Sequence, residues 1–171
     1  AEQLEAAGMT AGDRVLHIGP HSAAWPIVDF GCLLSGVVHV ALHAEESQSD
    51  QSRHLQLFKP SGLILSGGMR YRSFIQHGLP LLEVQVNWST DRIVRAALRH
   101  SIAERLQRCD PDRPAAVFIS SGTTGRPKGF VHSQRSLVMN AAASAVEFLE
   151  EPDDVRLSWL PQSHALARVG D

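Results

Sequence analysis

Short apolar runs alternate with helix-patterned stretches along the chain, and this alternation restricts the fold more than any other feature. "RVLHIG" (residues 14–19), "VVHVAL" (37–42), "LILSG" (63–67), "LLEVQVN" (81–87) and "AAVFIS" (115–120) are rich in β-branched and aliphatic residues and short enough for strands. Residues 1–8 read as the end of a helix stopped at Gly8. Ser22 reads as the cap of a second helix running to about Ser35, with Gly36 as its terminator. Residues 45–62 read as a loop and a short helix. From Thr90, apolar Val94, Leu98, Ile102 and Leu106 recur every four residues, the stripe of an amphipathic helix ending near Cys109. After residue 127, "GFVHS" (129–133) reads as a strand, Ser133 as the cap of a helix over 134–149, and "VRLSWL" (155–160) as a last strand. Strand–helix alternation of this kind predicts an α/β layered fold with a mainly parallel sheet.

One stretch does not fit a scaffold role. Residues 118–129, "FISSGTTGRPKG", put three glycines, four hydroxyl residues, one proline and one lysine into twelve positions. The bland reading is a flexible connection between two strands. The sharper reading is an anion cradle. Glycines let backbone amides converge, the hydroxyls of Ser120, Ser121, Thr123 and Thr124 can donate to phosphate oxygens, and Lys128 adds a compact positive charge. A strand that delivers such a loop to the carboxyl edge of a sheet delivers it to where α/β proteins bind ligands. The ordinary P-loop, G-x-x-x-x-G-K-[ST], is not met. Pro127 stands at its second glycine and Gly129 at its magnesium-binding hydroxyl, and a strand rather than a helix follows.

Composition narrows the alternatives. With 171 residues, 43% of them hydrophobic and 20% charged, the chain can bury one substantial core. A formal net charge of -2 gives no general attraction to nucleic acid. The arginines at 92, 95, 99, 105 and 108 are interleaved with Asp91, Glu104, Asp110 and Asp112, as on a solvated helix face. The longest apolar region, residues 25–44, holds Asp29, Ser35, His39 and His43, which argues against a transmembrane segment. Cys32 and Cys109 are expected to be free thiols in a cytoplasmic protein. His17/His21 and His39/His43 lie four apart without a suitably spaced third ligand, so no metal site is read from them. Trp25 and Trp88 read as packing residues.

The segment S-S-G-T-T-G-R-P-K-G (residues 120–129) closely resembles the phosphate loop of the adenylate-forming (AMP-binding) enzymes: acyl-CoA synthetases, firefly luciferase and peptide-synthetase adenylation domains. Residues 8–42, with their G-D-R-V strand, helix, small-residue turn and second strand, resemble the opening of that family. "LSWLPQSHALAR" (157–168) resembles its L-P-x-S-H-x-x-x-R segment, typical of acyl-CoA synthetases. Ala41 stands where a proline is common, Gln134 where a histidine often follows the loop, and Ala167 where long-chain members usually carry glutamate.

The resemblance implies a two-step reaction. A carboxylate, with the 160–168 match leaning towards a fatty or other apolar acid, attacks the α-phosphate of ATP to give an acyl-adenylate and pyrophosphate. A thiol, usually that of coenzyme A, then takes the acyl group. Ser120, Ser121, Gly122, Thr123, Thr124, Gly125, Pro127, Lys128 and Gly129 are implied to surround the phosphates, with Lys128 neutralising the leaving pyrophosphate. His164 is implied to lie beside the acyl group and the adenylate; Arg168 completes the motif and reads equally well as a surface arginine. The family's adenine, ribose and magnesium ligands, and its small C-terminal lid domain with a catalytic lysine, follow the point where residue 171 stands. The expectation is therefore a partial N-terminal adenylation domain over 1–171, inert alone. ATP and Mg2+ are the implied cofactors, coenzyme A the co-substrate, and a peripheral membrane association of the parent stays open. An ATP-binding regulatory module without turnover, a degenerate scaffold and a peptide-synthetase domain remain as alternatives.

Overall fold

The computed structural model describes residues 1–45, 47–67, 78–84, 102–120, 127–149, 151, 153–155 and 157–170. Among these, six strands form one sheet: β1 (Arg14–Ile18), β2 (Val38–Leu42), β3 (Gly62–Ser66), β4 (Leu81–Val84), β5 (Pro114–Ser120) and β6 (Lys128–Ser133), in the order β4-β3-β1-β2-β5-β6. The first five run parallel, with β1 in register with β2 from Arg14↔Val38 to Ile18↔Leu42. Only β6 is antiparallel, returning beside β5 with Ser120 opposite Lys128. This is the mainly parallel α/β architecture that the alternation predicts.

Topology places a layer on each face. From β1 the chain steps to one side through α2 (Ala24–Ser35) into β2. It then crosses back over β1 through α3 (Gln48–Phe58) into β3. Right-handed crossovers in opposite directions put their helices on opposite faces of the sheet. The period of two along each strand does the rest. Leu16, Ile18, Val40, Leu42, Leu63 and Leu65 pack with Phe58 at the end of α3. Val15, Val37 and Ile64 pack with Val28 and Cys32 of α2, and with Leu4 of α1 (Glu2–Ala6). Strands buried on both faces read as continuous apolar runs, as here.

The helix ends follow the local chemistry, with one correction. Gly36 adopts φ 70°, the left-handed conformation that ends α2 and favours glycine. Ser133 is extended (φ -82°, ψ 164°), and its hydroxyl accepts the Ser136 amide at 3.2 Å to cap α5 (Gln134–Glu147). Ser22 does not act this way. Ala23 takes the cap position with a helical backbone (φ -63°, ψ -15°), and the Ser22 hydroxyl is buried without a hydrogen bond. A capping side chain needs the extended backbone that Ser133 has and this turn lacks.

Two further expectations are corrected. In the described part of the helix read from Thr90, α4 (Ile102–Arg108), Ile102 and Leu106 are 56% and 59% exposed. What α4 buries is Arg105, whose guanidinium donates to both carboxylate oxygens of Glu5 on α1. The helix ends near Cys109 as expected, but an ion pair rather than Ile102 or Leu106 is what its described part buries; residues 90–101, with Val94 and Leu98 of the stripe, lie outside the described set, as does Trp88. The last strand is also absent among the described residues of 155–160. Val155, Leu157 and Trp159 stay exposed and none joins the sheet. An alternating pattern forms a strand only where an edge pairs with it and a face is covered. Here His21 Nε2–H donates instead to the Ser158 carbonyl at 2.8 Å.

α5 lies beside β6 with none of its residues buried, and Val138, Met139 and Val146 face outward. No helix among the described residues is long and apolar enough to cross a membrane. Both cysteines are free, Cys32 buried and Cys109 half-buried. Burial and the nearby Asp29 carboxylate push the Cys32 thiol up to about 12. Non-reducing mass spectrometry should find two thiols, and a maleimide should modify Cys109 well before Cys32. A Cys32–Cys109 disulfide in the native chain would overturn this.

Candidate functional site

The carboxyl ends of β2 and β5 open onto a cavity of about 270 Å³. Ala41 and His43 reach it from β2 and its exit, Ile119 and Ser120 from β5, and Pro127 from the start of the return strand. Arg53 and His54 of α3 form another wall, and Ser163 and His164 close it from the turn before α6 (Ala165–Gly170). The His43 and His164 rings meet edge to face, centroids 5.8 Å apart. The lining combines hydroxyl, imidazole and guanidinium groups, a donor set suited to an anionic ligand. Its one carboxylate in the described set, Asp50, is engaged by Ser47 and Arg53.

Ser120, Pro127 and His164, distant in sequence, therefore share one cavity. Ser121, Gly122, Thr123, Thr124 and Gly125 lie outside the described residues, between the two stems that Ser120 and Pro127 end. Lys128 and Gly129 line an adjoining groove of about 720 Å³ with Arg14, Phe58 and Lys59, and Pro127 borders both spaces. Gly129 has a packing reason to be glycine. A Cβ there would sit 2.6 Å from Phe58 Cε1 and 2.9 Å from Val117 Cγ1, so any side chain would force those packed groups to shift.

Behind the cavity runs a buried polar chain that sequence reasoning did not assemble. Ser66 Oγ is 2.8 Å from His17 Nε2, His17 Nδ1 is 2.9 Å from His39 Nε2, and His39 Nδ1 is 2.7 Å from Asp29 Oδ1. Arg168 Nε donates to Asp29 Oδ2 at 2.9 Å and its Nη2 to Asp29 Oδ1. Arg168 is no surface arginine: its side chain is 3% exposed, and its guanidinium lies over the rings of Trp25 (5.5 Å) and Phe118 (5.3 Å). The available signal was a polar residue at inward positions of otherwise apolar strands: His17 after Val15, His39 after Val37, Ser66 after Ile64. Asp29 likewise interrupts the buried stripe Trp25–Val28–Cys32 of α2.

The partners dictate the protons. A carboxylate only accepts, so His39 carries its hydrogen on Nδ1 and accepts on Nε2. His17 must then donate from Nδ1, and accept the Ser66 hydroxyl on Nε2. Burial pushes His17 well below the usual imidazole range, and His39 and Arg168 add to this. Burial, with Arg168 adding to it, also lowers His39 although Asp29 pulls the other way. For Asp29, burial favours the neutral acid, but His39 and Arg168 outweigh it and hold the carboxyl below its ordinary value.

Stability should follow these directions. The unfolded chain takes up protons on these histidines near pH ~6.5, which the folded chain refuses. Their contribution is therefore whole above that pH and declines as pH falls through it. Asp29, displaced downward, adds loss only below about pH 4. The unfolding free energy should fall between about pH 7 and about pH 5, with a slope of at most ~2.7 kcal/mol per pH unit from the two histidines. Denaturant melts that are flat over this interval would contradict the buried neutral pair.

Comparison with known proteins gives this geometry a family. The family model described as "AMP-binding enzyme" matches residues 1–170. The fatty acid–[acyl-carrier-protein] ligase ScoC of Streptomyces coeruleorubidus is 32% identical over 96% of this chain and 32% of its own length. The long-chain-fatty-acid–CoA ligase FadD15 of Mycobacterium bovis is 30% identical over 95% of this chain and 29% of its own. The chain thus spans about a third of the length of these relatives. Among solved structures, ATP-bound MatB from Rhodopseudomonas palustris superimposes with a TM-score of 0.77 at 20% identity, over 99% of this chain and 34% of that one. The O-succinylbenzoate coenzyme A synthetase MenE of Bacillus subtilis, in complex with AMP, gives 0.74 at 20% identity, over 98% and 42%. These two likenesses show the fold. The parallel sheet, the hydroxyl- and glycine-rich connection at its carboxyl edge and the family match over 1–170 agree: the chain belongs to the AMP-binding enzyme family of adenylate-forming ligases.

Proposed function

We propose that the protein carrying this chain activates a carboxylic acid with ATP and passes the acyl group to a thiol. The observation that carries this reading is the convergence of Ser120, Pro127 and His164 on one cavity, at the two stems of the glycine-rich connection. In this reading the amides and hydroxyls of Ser121, Gly122, Thr123, Thr124 and Gly125, with Ser120, bind the β- and γ-phosphates. Pro127 stiffens the exit of the loop, and Gly129 lets the hairpin close against Phe58. The substrate carboxylate attacks the α-phosphorus and the bond to the bridging oxygen breaks. Acyl-adenylate and pyrophosphate result, with Lys128 offsetting the charge that accumulates on the pyrophosphate. His164 lines the cavity where the acyl group lies. Magnesium, when bound, would screen the phosphates. Asp50 is already engaged by Ser47 and Arg53, so no ligand for it is assigned from this chain.

A fatty or other apolar acid is the proposed substrate and coenzyme A the proposed acceptor, supported by the relatives that act on fatty acids. One observation favours a carrier-bound thiol as a second reading. The relatives include ScoC, whose name gives an acyl-carrier protein as the acceptor. The test is pyrophosphate release by the whole protein with ATP and acids of graded chain length, followed by acyl transfer to coenzyme A or to a carrier protein. Release that depends on a medium- or long-chain acid is the expected result. ATP binding without release for any acid would turn the reading to a nucleotide-binding module.

A further inference from the structure

The buried chain Ser66–His17–His39–Asp29–Arg168 ends one helical turn from the residue assigned to the acyl group. The His164 carbonyl accepts the Arg168 amide at 3.1 Å, and the His164 amide donates to Pro161 at 2.9 Å. α6 has only six residues, far below the length at which a helix holds itself. Its place comes from its packing beside α5 and from what its own side chains grip. Ala167 is buried, and Arg168 reaches across to Asp29, 139 residues earlier in the chain.

That grip is directional. Two guanidinium nitrogens on two carboxylate oxygens fix both distance and plane, and Trp25 and Phe118 hold the guanidinium from the sides. Asp29 is itself held by the His39 Nδ1–H, and His39 by His17 and Ser66 through the single donor direction derived above. Every ring nitrogen in the chain is used. A Ser–His–Asp nucleophile is excluded, because Ser66 is 0% exposed and no substrate can reach its hydroxyl.

We propose that Asp29 is a positioning residue of the adenylation site: it clamps Arg168 and so holds the turn carrying His164 against the cavity. The proposal rests on the reading of His164 given above. It makes the β1–α2–β2 body the fixed support of a turn far along the sequence. Asp29 touches no reacting atom; it acts through Arg168 and His164.

The test is a double-mutant cycle in the whole protein, read as pyrophosphate release. Replacing Asp29 or Arg168 alone leaves a buried charge unpaired, so the clamp is removed as D29N with R168M, which leaves no buried charge alone. This pair of substitutions should lower kcat by about ten- to a hundredfold, as small misplacements of a positioned group do, with KM for ATP changed less than about threefold. In an H164A background the same pair should lower kcat by less than about threefold, because the group it positions is gone. Unchanged kcat, or the full loss repeated in the H164A background, would overturn the proposal. Should H164A itself leave kcat unchanged, the reading of His164 falls, and NMR of its imidazole decides the clamp separately. A moved Cε1–H signal in D29N/R168M supports it, and an unmoved signal overturns it. If D29N/R168M does not fold, R168K, which keeps the charge and gives up the two-point grip, carries the same comparison with the same outcomes.

Discussion

Replacing Lys128 by alanine is expected to slow acyl-adenylate formation by about one to three orders of magnitude while leaving the fold intact. Lys128 opens β6 as an exposed residue paired across the hairpin with Ser120, so its side chain starts at a stem of the glycine-rich connection and contributes nothing to the core. Among the described residues that ammonium forms no hydrogen bond, and its loss orphans no partner. The predicted loss is thus chemical, since pyrophosphate leaves with more negative charge than it carried in ATP, and a fixed cation lowers that barrier selectively. Pyrophosphate release and the thermal midpoint should be measured together on K128A. Wild-type release from a folded variant would refute the role, and a collapsed midpoint would move Lys128 from chemistry to structure.

The second large effect is on stability. Asp29→Ala should destabilise the chain by about 3–5 kcal/mol, the range for removing one partner of a buried pair. It strands the Arg168 guanidinium between two aromatic rings and leaves the His39 Nδ1–H without its acceptor. For a domain of this size that corresponds to a midpoint lowered by roughly 10 °C. The exposed pair Asp112–Arg135 is the control: its oxygens and nitrogens are as close, 2.6 and 3.0 Å, yet both side chains sit in water. Asp112→Ala should move the midpoint far less. Equal shifts for D29A and D112A would mean that burial is not what gives the Asp29 clamp its strength.

The parts of this fold that local chemistry decides were legible in the sequence. Strands β1, β2, β3 and β5 announce themselves because parallel strands covered on both faces must be apolar throughout. Gly36 ends its helix by a left-handed backbone and Ser133 starts one by its side-chain cap, both decided within a few residues of sequence. The family was legible in the loop motif because its distinctive residue types stand together in twelve consecutive positions. What stayed hidden depends on distant partners. A histidine at an inward strand position says only that a partner must exist, not that His17 will meet His39, or Asp29 meet Arg168. Ser22 and the stripe at Ile102 and Leu106 mislead for the same reason. Each has the right local pattern, but the turn conformation at Ala23 and the Arg105–Glu5 pair decide otherwise. "VRLSWL" shows the limit of alternation, since propensity without a pairing edge makes no strand.

The helix that buries nothing has a consequence for how the chain opens. Amides in β1 and β2, flanked by strands on both sides and covered on both faces, can exchange with solvent only when the whole sheet comes apart. Those of α5 need only its own turns to loosen, because no buried side chain ties that opening to the sheet. Hydrogen exchange would therefore divide the molecule into a slow centre and a fast flank. The hairpin β5–β6 is the seam between them, and the glycine-rich connection sits on that seam. Of the two stems described, Ser120 ends a strand paired with the slow centre through β2, and Lys128 opens the edge strand that leads into the fast helix.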